Sequence, residues 1–337
     1  MKALVIEKPN QSNFHQRELP HCGADEVVIK VAYAGICGSD MHILHGDNPF
    51  VVYPRVSGHE FAGEVVETGE QVTHLAKGDQ VVIDPVINCN ECPQCRRGRA
   101  NCCINLQVIG VHRDGGFCHY QVVPASNAYK VASHIPLRKA ALIEPYTIAA
   151  NVFERLNPSS GDSILIYGSG VIGLTLVQVA KVLNIPSIVV DLVDEKLAKA
   201  TQLGASHVIN ASRQDVEQEV MKLTDGQGVP LIADAACIPS LLPQILKLAA
   251  PAGSVCLLGF SSEPSALAQI EVIKKELTIV GSRLNNKMFP RVISWLEEGK
   301  LNTEEIISHE FEFENFSEAF AQIEQRPEST MKALICF

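Results

Sequence analysis

The chain has no basic surplus: 28 Lys and Arg stand against 38 Asp and Glu, for a net charge of −10. That excludes a general nucleic-acid or anionic-membrane binder, which needs basic stripes. A small anionic substrate stays compatible, because a pocket can be locally positive. The chain also lacks an unbroken apolar run of spanning length. Residues 164–180 are uncharged and mostly apolar, but Gly168-Ser169-Gly170 interrupts them and the run is short for a span. A buried strand, turn and helix is the expectation there. No secretory leader is expected either. After Met1-Lys2 the apolar run 3–6 is too short for an h-region, and no small-residue cleavage site follows. A cytoplasmic location is expected. With 337 residues, 46% hydrophobic and 20% charged, the sequence suits a globular protein of two domains.

Cysteine, by contrast, is plentiful. Eleven cysteines in a chain with no expected leader read as reduced thiols or metal ligands rather than disulfides. Five fall within 89–103. Cys89, Cys92 and Cys95 are each separated by two residues, and Cys103 lies further on, with Cys102 beside it as a competitor. Four thiolates so spaced can wrap a tetrahedral zinc, and a Cys₄ shell with no open position is structural. A thiol-rich loop without metal is the bland alternative, but such exposed thiols oxidise. Cys22, Cys118, Cys237, Cys256 and Cys336 carry no motif and are expected as buried packing residues.

A second donor set lies earlier, in Gly35-Ile36-Cys37-Gly38-Ser39-Asp40-Met41-His42 and Gly58-His59-Glu60. Cys37 and His59 suit zinc. A catalytic zinc needs a third protein ligand and one open position. Two carboxylates compete for the third place: Glu60, next to His59, and Glu144, in an apolar helix where an unpaired charge is costly. Each residue alone has an ordinary structural explanation; beside the cysteine cluster they form a site. Ser39 and His42 can supply hydroxyl and imidazole steps by which a proton reaches water.

The first 130 or so residues are β-rich, with strands expected at 3–6, 26–31, 64–67, 80–83 and 118–123. From 163 onward strands and helices alternate, which indicates a doubly wound parallel sheet. Helices at 289–298 and 317–325 precede a final strand at 332–337, so the tail can return to the first domain. Gly168-Ser169-Gly170-Val171-Ile172-Gly173 follows an apolar strand and opens a helix, and Asp191 ends the next strand. That context turns a weak G-x-G-x-x-G into a dinucleotide fingerprint: Gly168, Gly170, Val171, Ile172 and Gly173 bring backbone to a pyrophosphate, and Asp191 accepts from ribose hydroxyls. Asp191 would repel a 2′-phosphate, favouring NAD over NADP; Lys196 is a possible phosphate partner. A nicotinamide site with an open zinc site amounts to alcohol dehydrogenation: the metal lowers the pKa of the alcohol and the nicotinamide takes the hydride.

On these motifs, which stand in family order along essentially the whole chain, the sequence resembles the zinc-dependent medium-chain alcohol and polyol dehydrogenases. The resemblance implies a GroES-like β-domain from both chain ends (1–150 and 290–337, with a zinc lobe at about 88–104) and a Rossmann domain at 151–289. It implies one catalytic and one structural zinc, NAD, and a homo-oligomer, dimer or tetramer, paired through an edge strand near 277–281. It makes Cys37 and His59 zinc ligands, Asp40 the acid that orients the zinc histidine, and Ser39 with His42 the proton relay. Glu60 and Glu144 match two carboxylates that meet zinc directly or through water.

Within the family, stretches such as Gly110-Val111-His112-Arg113-Asp114, Ile143-Glu144-Pro145-Tyr146 and Ser282-Arg283-Leu284-Asn285 resemble bacterial starvation-sensing zinc dehydrogenases, which look like L-gulonate 5-dehydrogenases. The implied reaction is oxidation of L-gulonate to D-fructuronate. A sugar acid needs a cation, and Arg283, His112 and Arg113 are the candidates. Tyr146 departs from an expected Phe, which makes its hydroxyl a candidate pocket group. The competing expectations are a neutral-polyol or L-threonine dehydrogenase and, from another class, a non-catalytic sensor of NAD or a metabolite. The sensor could lose Cys37, Ser39, His42 or His59 without penalty, and all four are present.

Overall fold

Two strand patterns build two different sheets. The computed structural model describes residues 1–337. The chain divides into two compact units: Met1–Glu144 with Asn286–Glu298 and Thr303–Phe337, and Pro145–Asn285 with Gly299–Asn302.

In the first unit the strands Ile307–Glu312, Lys332–Cys336, Glu26–Ile36, Glu60–Thr68, Gln80–Ile83 and Ala128–Lys130 lie side by side, and Tyr120–Pro124 also pairs with Glu26–Ile36. One face packs on a core that draws Val27, Ile29 and Val31 from the central strand, Val81 and Ile83 from its neighbour, and Phe313, Phe316 and Ile335 from near the C-terminus. The last strand runs antiparallel to Glu26–Ile36, with Ala333 opposite Ile36 and Leu334 opposite Gly35. Glu60–Thr68 flanks the other edge of that strand, with Glu60 opposite Gly35. Three strands from distant parts of the sequence thus meet at one end of the sheet.

The β-rich expectation omits one element that matters. A helix, Gly38–His45, follows the central strand directly. Cys37 is its N-cap, and Gly46 ends it in the left-handed region with φ 89°, its N–H donating to the carbonyls of His42 and Ile43. Eight residues rich in Gly, Ser, Asp and His carry little helical periodicity, and capping rather than burial defines the element.

The second unit holds six parallel strands in the order His207–Asn210, Ser187–Asp191, Ile164–Tyr167, Val229–Asp234, Ala249–Leu257 and Thr278–Gly281. This is the doubly wound order with its switch point beside Ile164–Tyr167, as the alternating pattern implies. The central Ile-Leu-Ile-Tyr is buried at every position, which a strand covered on both faces requires. No helix is long and apolar enough to cross a membrane.

Candidate metal and cofactor sites

Asp40 organises the first site. It sits in the first turn of the Gly38–His45 helix, fully buried. One oxygen, Oδ2, accepts from the amide of Cys37 at 2.9 Å and the other, Oδ1, from the amide of Gly58 at 3.0 Å. The same Oδ1 lies 3.7 Å from Nδ1 of His59, a buried nitrogen with no hydrogen-bond partner. One carboxylate therefore joins the two motif stretches and faces the histidine ring.

Ligand atoms of Cys37, His59 and Glu60 all lie within 4.8 Å of one another. Soft thiolate, imidazole and carboxylate together fit zinc. The electrostatics favour a cation here. Burial pushes the His59 imidazole down, but Asp40, Cys37 and Glu144 outweigh it and hold it protonated well above its ordinary range. Burial pushes Glu144 up to about 8, and Glu60 adds to that, while His59 and Lys332 oppose it. Burial likewise raises Asp40. A dication at this point relieves the cost of holding these anions in a low dielectric.

Ser39 is half-buried and His42 is exposed. They are three apart on one short helix, so they share a face, stepping outward from the N-cap Cys37 toward water.

The cysteine lobe closes on itself. Ligand atoms of Cys89, Cys92, Cys95 and Cys103 lie within 4.8 Å of one another. Sγ–Sγ separations are 3.4 Å for Cys92–Cys95 and Cys89–Cys103 and 3.9 Å for Cys92–Cys103. A tetrahedron of thiolates at a Zn–S distance near 2.3 Å needs about 3.8 Å. Backbone amides, that of Cys95 foremost, lower the Cys92 thiol to about 6, whereas burial pushes Cys103 up to about 11. A bound metal deprotonates all four regardless. Cys102 turns away toward the Arg99 guanidinium at 3.9 Å, which leaves Cys103 as the fourth donor. Asn286 fastens the lobe, accepting from the amide of Ala100 at 3.0 Å and donating to the carbonyl of Gly98 at 2.8 Å.

In the second unit the glycine loop has the shape its sequence implies. Gly168 takes φ 89°, and a Cβ on Gly173 would stand 1.9 Å from the carbonyl oxygen of Gly168. A Cβ on Gly170 would meet nothing within 4 Å, so open space faces the N-cap of the Val171–Val182 helix, as an approaching pyrophosphate requires. Asp191 ends the adjacent strand. Its Oδ2 accepts from the amide and hydroxyl of Ser169 at 2.6 and 2.7 Å, and its Oδ1 from the amides of Leu192 and Val193 at 2.7 and 3.1 Å. Burial pushes this carboxyl up, but those donors outweigh it and hold it below its ordinary value. Lys196 is half-buried on the following helix, Asp194–Leu203.

The three cation candidates separate. His112 uses Nδ1 to accept from the amide of Val108 at 3.1 Å, and its ring lies 6.1 Å from that of Phe50. Arg113 stands 3.9 Å from Glu26. Arg283 lies half-buried in a loop that Asn151 holds by donating to Ser282 Oγ at 2.8 Å and to the carbonyl of Leu284 at 3.1 Å. Two expectations need correction. The Tyr146 hydroxyl is no pocket group: the side chain is fully buried, and its hydroxyl oxygen accepts from Gln178 Nε2 at 2.6 Å. Of the five cysteines without a motif, only Cys118 and Cys256 are buried; Cys237 is exposed, at a left-handed turn position with φ 57°.

Family models match in the same order as the units. The alcohol dehydrogenase GroES-like domain covers residues 23–133, and the zinc-binding dehydrogenase model covers 171–298. The chain is 46% identical to the starvation-sensing protein RspB of Escherichia coli K12, over 100% of this chain and 99% of that one. This chain belongs to the zinc-binding alcohol dehydrogenase family. The dehydrogenase is also 32% identical to the L-galactonate-5-dehydrogenase of Escherichia coli K12, over 100% and 99% of the two chains. A crystal structure of the rspB alcohol dehydrogenase from E. coli CFT073, complexed with NADH, superposes with a TM-score of 0.95 at 46% identity, covering 100% and 99%. Zinc and a nicotinamide cofactor go with the family, and the donor sets described above fit both.

One charged residue of this dehydrogenase escapes the sequence reading. Lys332, on the last strand, is buried beside Glu60. Its signal is modest: a single lysine heads an apolar strand, Lys-Ala-Leu-Ile-Cys, that the fold places in a core.

Proposed function

We propose that this dehydrogenase oxidises the C5 secondary alcohol of a sugar acid, L-gulonate to D-fructuronate, with NAD as acceptor. The convergence of Cys37, His59 and Glu60 within 4.8 Å carries the redox part of the reading. Similarity to an L-galactonate-5-dehydrogenase along the entire chain supports the substrate class.

Cys37, His59 and Glu60 would hold the catalytic metal. When bound, zinc would supply Lewis acidity toward a substrate hydroxyl and NAD would supply the hydride acceptor. Asp40 fixes the His59 ring from behind while anchoring the backbone of both motif stretches. The CH–OH group loses one hydrogen as hydride and the other as a proton. Ser39 receives that proton first and His42 delivers it to water. The glycine loop 168–173 seats the pyrophosphate, and Asp191 holds the adenosine ribose. Arg283, His112 and Arg113 are the candidate cations for the substrate carboxylate.

The test is a panel of L-gulonate, L-galactonate, sorbitol, galactitol and L-threonine, each with NAD and with NADP. The reading expects a sugar acid with NAD to give the highest kcat/KM. It also expects Arg283→Ala to raise KM for the sugar acid far more than for sorbitol. Equal effects on both substrates would remove Arg283 from the reading.

A further inference from the structure

Glu60 and Lys332 belong to strands that do not touch. The strand Glu26–Ile36 runs between them, so their backbones stand two strand spacings apart, about 9.6 Å. Their side chains meet nonetheless, over Gly35. A Cβ at Gly35 would lie 2.2 Å from Glu60 Oε2, so only glycine leaves room for the carboxylate to cross. Lys332 Nζ donates to Oε1 and Oε2 of Glu60, both at 2.8 Å, and to the carbonyl of Ile36 at 3.0 Å. An ammonium has three N–H donors, and all are used. Both side chains are 2% exposed. Burial favours the neutral amine, but Glu60 foremost and Cys37 after it outweigh that and keep Lys332 charged.

A buried ion pair is poor value as a stabiliser, since desolvating two charges offsets most of their attraction. Its position gives it another use. Within the Cys37–His59–Glu60 set, Glu60 is the member whose carboxylate is held by a cation, whereas His59 faces the Asp40 carboxylate.

We propose that Lys332 is the positioning residue of the catalytic metal site: by clamping both oxygens of Glu60 over Gly35, it fixes the rotamer from which that carboxylate meets the metal. The C-terminal strand is thereby part of the metal site, although no ligand lies on it. The proposal rests on the assignment of Cys37, His59 and Glu60 as ligands.

The experiment reads metal release, with the cysteine lobe as internal reference. The zinc-loaded enzyme is mixed with a colorimetric zinc chelator, and the two zincs are followed as separate phases assigned by Cys37→Ser. In Lys332→Met the catalytic zinc is released about 10–100-fold faster, the range for losing a group that orients a ligand, while the lobe zinc leaves at the wild-type rate. Lys332→Arg restores most of the difference. The cobalt-substituted enzyme reports the same event as an altered ligand-field spectrum in Lys332→Met and a near-native one in Lys332→Arg. Should Lys332→Met fail to fold, the double variant Lys332→Met/Glu60→Gln removes the unpaired charge, and Lys332→Arg alone still reads the clamp. Catalytic-site release at the wild-type rate in Lys332→Met, with an unchanged cobalt spectrum, overturns the proposal. Wild-type protein that holds a single zinc, or whose zinc count survives Cys37→Ser, overturns the ligand assignment itself.

Discussion

Asp40 accepts the amide of Gly58 at 3.0 Å while lying 3.7 Å from the ring nitrogen of His59, one residue further on. The carboxylate that aims the histidine thus also positions the backbone that carries it. Asp40→Asn keeps the size but replaces one acceptor oxygen with a donor. Either the Cys37 or the Gly58 amide loses its partner, and the ring loses an anionic neighbour. The expected outcome is a loss of about 10–100-fold in metal affinity or activity, with the lobe zinc unaffected. Unchanged zinc titration and turnover would show that Asp40 serves the fold alone.

The relay assignment predicts a defect that solvent can repair. His42 is exposed, so its removal leaves Ser39 without an outward partner. His42→Gln is expected to lower kcat at neutral pH by up to about 10²-fold, the lower end for general acid–base catalysis. Small imidazole-type buffers should recover part of the loss, and zinc content should stay at the wild-type value. A defect indifferent to buffer concentration would place the proton path elsewhere.

Cofactor choice should turn on Asp191. Asp191→Ala removes four accepted hydrogen bonds, two of them from Ser169, as well as the charge that would oppose a 2′-phosphate. Hydrogen bonds to a charged group contribute about 1.5–3 kcal/mol. Losing the ribose hydrogen bonds assigned to Asp191 is therefore expected to raise KM for NAD about tenfold or more, while KM for NADP falls. A wild-type enzyme preferring NADP tenfold would contradict this reading of the strand end.

Stability of the metal-free protein should fall as pH rises. Glu144 has an ordinary value of 4.5 and stands at about 8 in the fold, chiefly through burial. Between those values the folded state binds more protons than the unfolded one, so stability declines with increasing pH. His59 acts with the same sign: its raised value contributes stability at low pH that is lost as pH climbs through it. Thermal melts of the chelated enzyme from pH 4.5 to 8 should show a declining Tm, less steep in Glu144→Gln. Zinc should raise Tm most at the alkaline end. A Tm that rises across this range would refute the account.

Most of this architecture is written locally. The cysteine spacing, the glycine loop and the apolar strand before it need only neighbouring residues, and so are readable without a structure. The Gly38–His45 helix is not, because its caps define it and its composition hides it. Lys332 is harder still: its partner Glu60 lies 272 positions away, and only strand order brings them together. Tyr146 illustrates the opposite error. Its hydroxyl looked chemical in a motif, yet the interior absorbs it through Gln178. The choice between Cys102 and Cys103 likewise needed side-chain direction, which spacing does not encode.

The central claim joins the Cys37 site to NAD-dependent oxidation of a sugar acid. The most direct measurement is NADH formation from L-gulonate and NAD by zinc-loaded wild type and by Cys37→Ser. The account predicts turnover by wild type that exceeds turnover on sorbitol or L-threonine, and its loss in Cys37→Ser. Faster turnover on the neutral polyol or on threonine, or gulonate oxidation that survives Cys37→Ser, would contradict it.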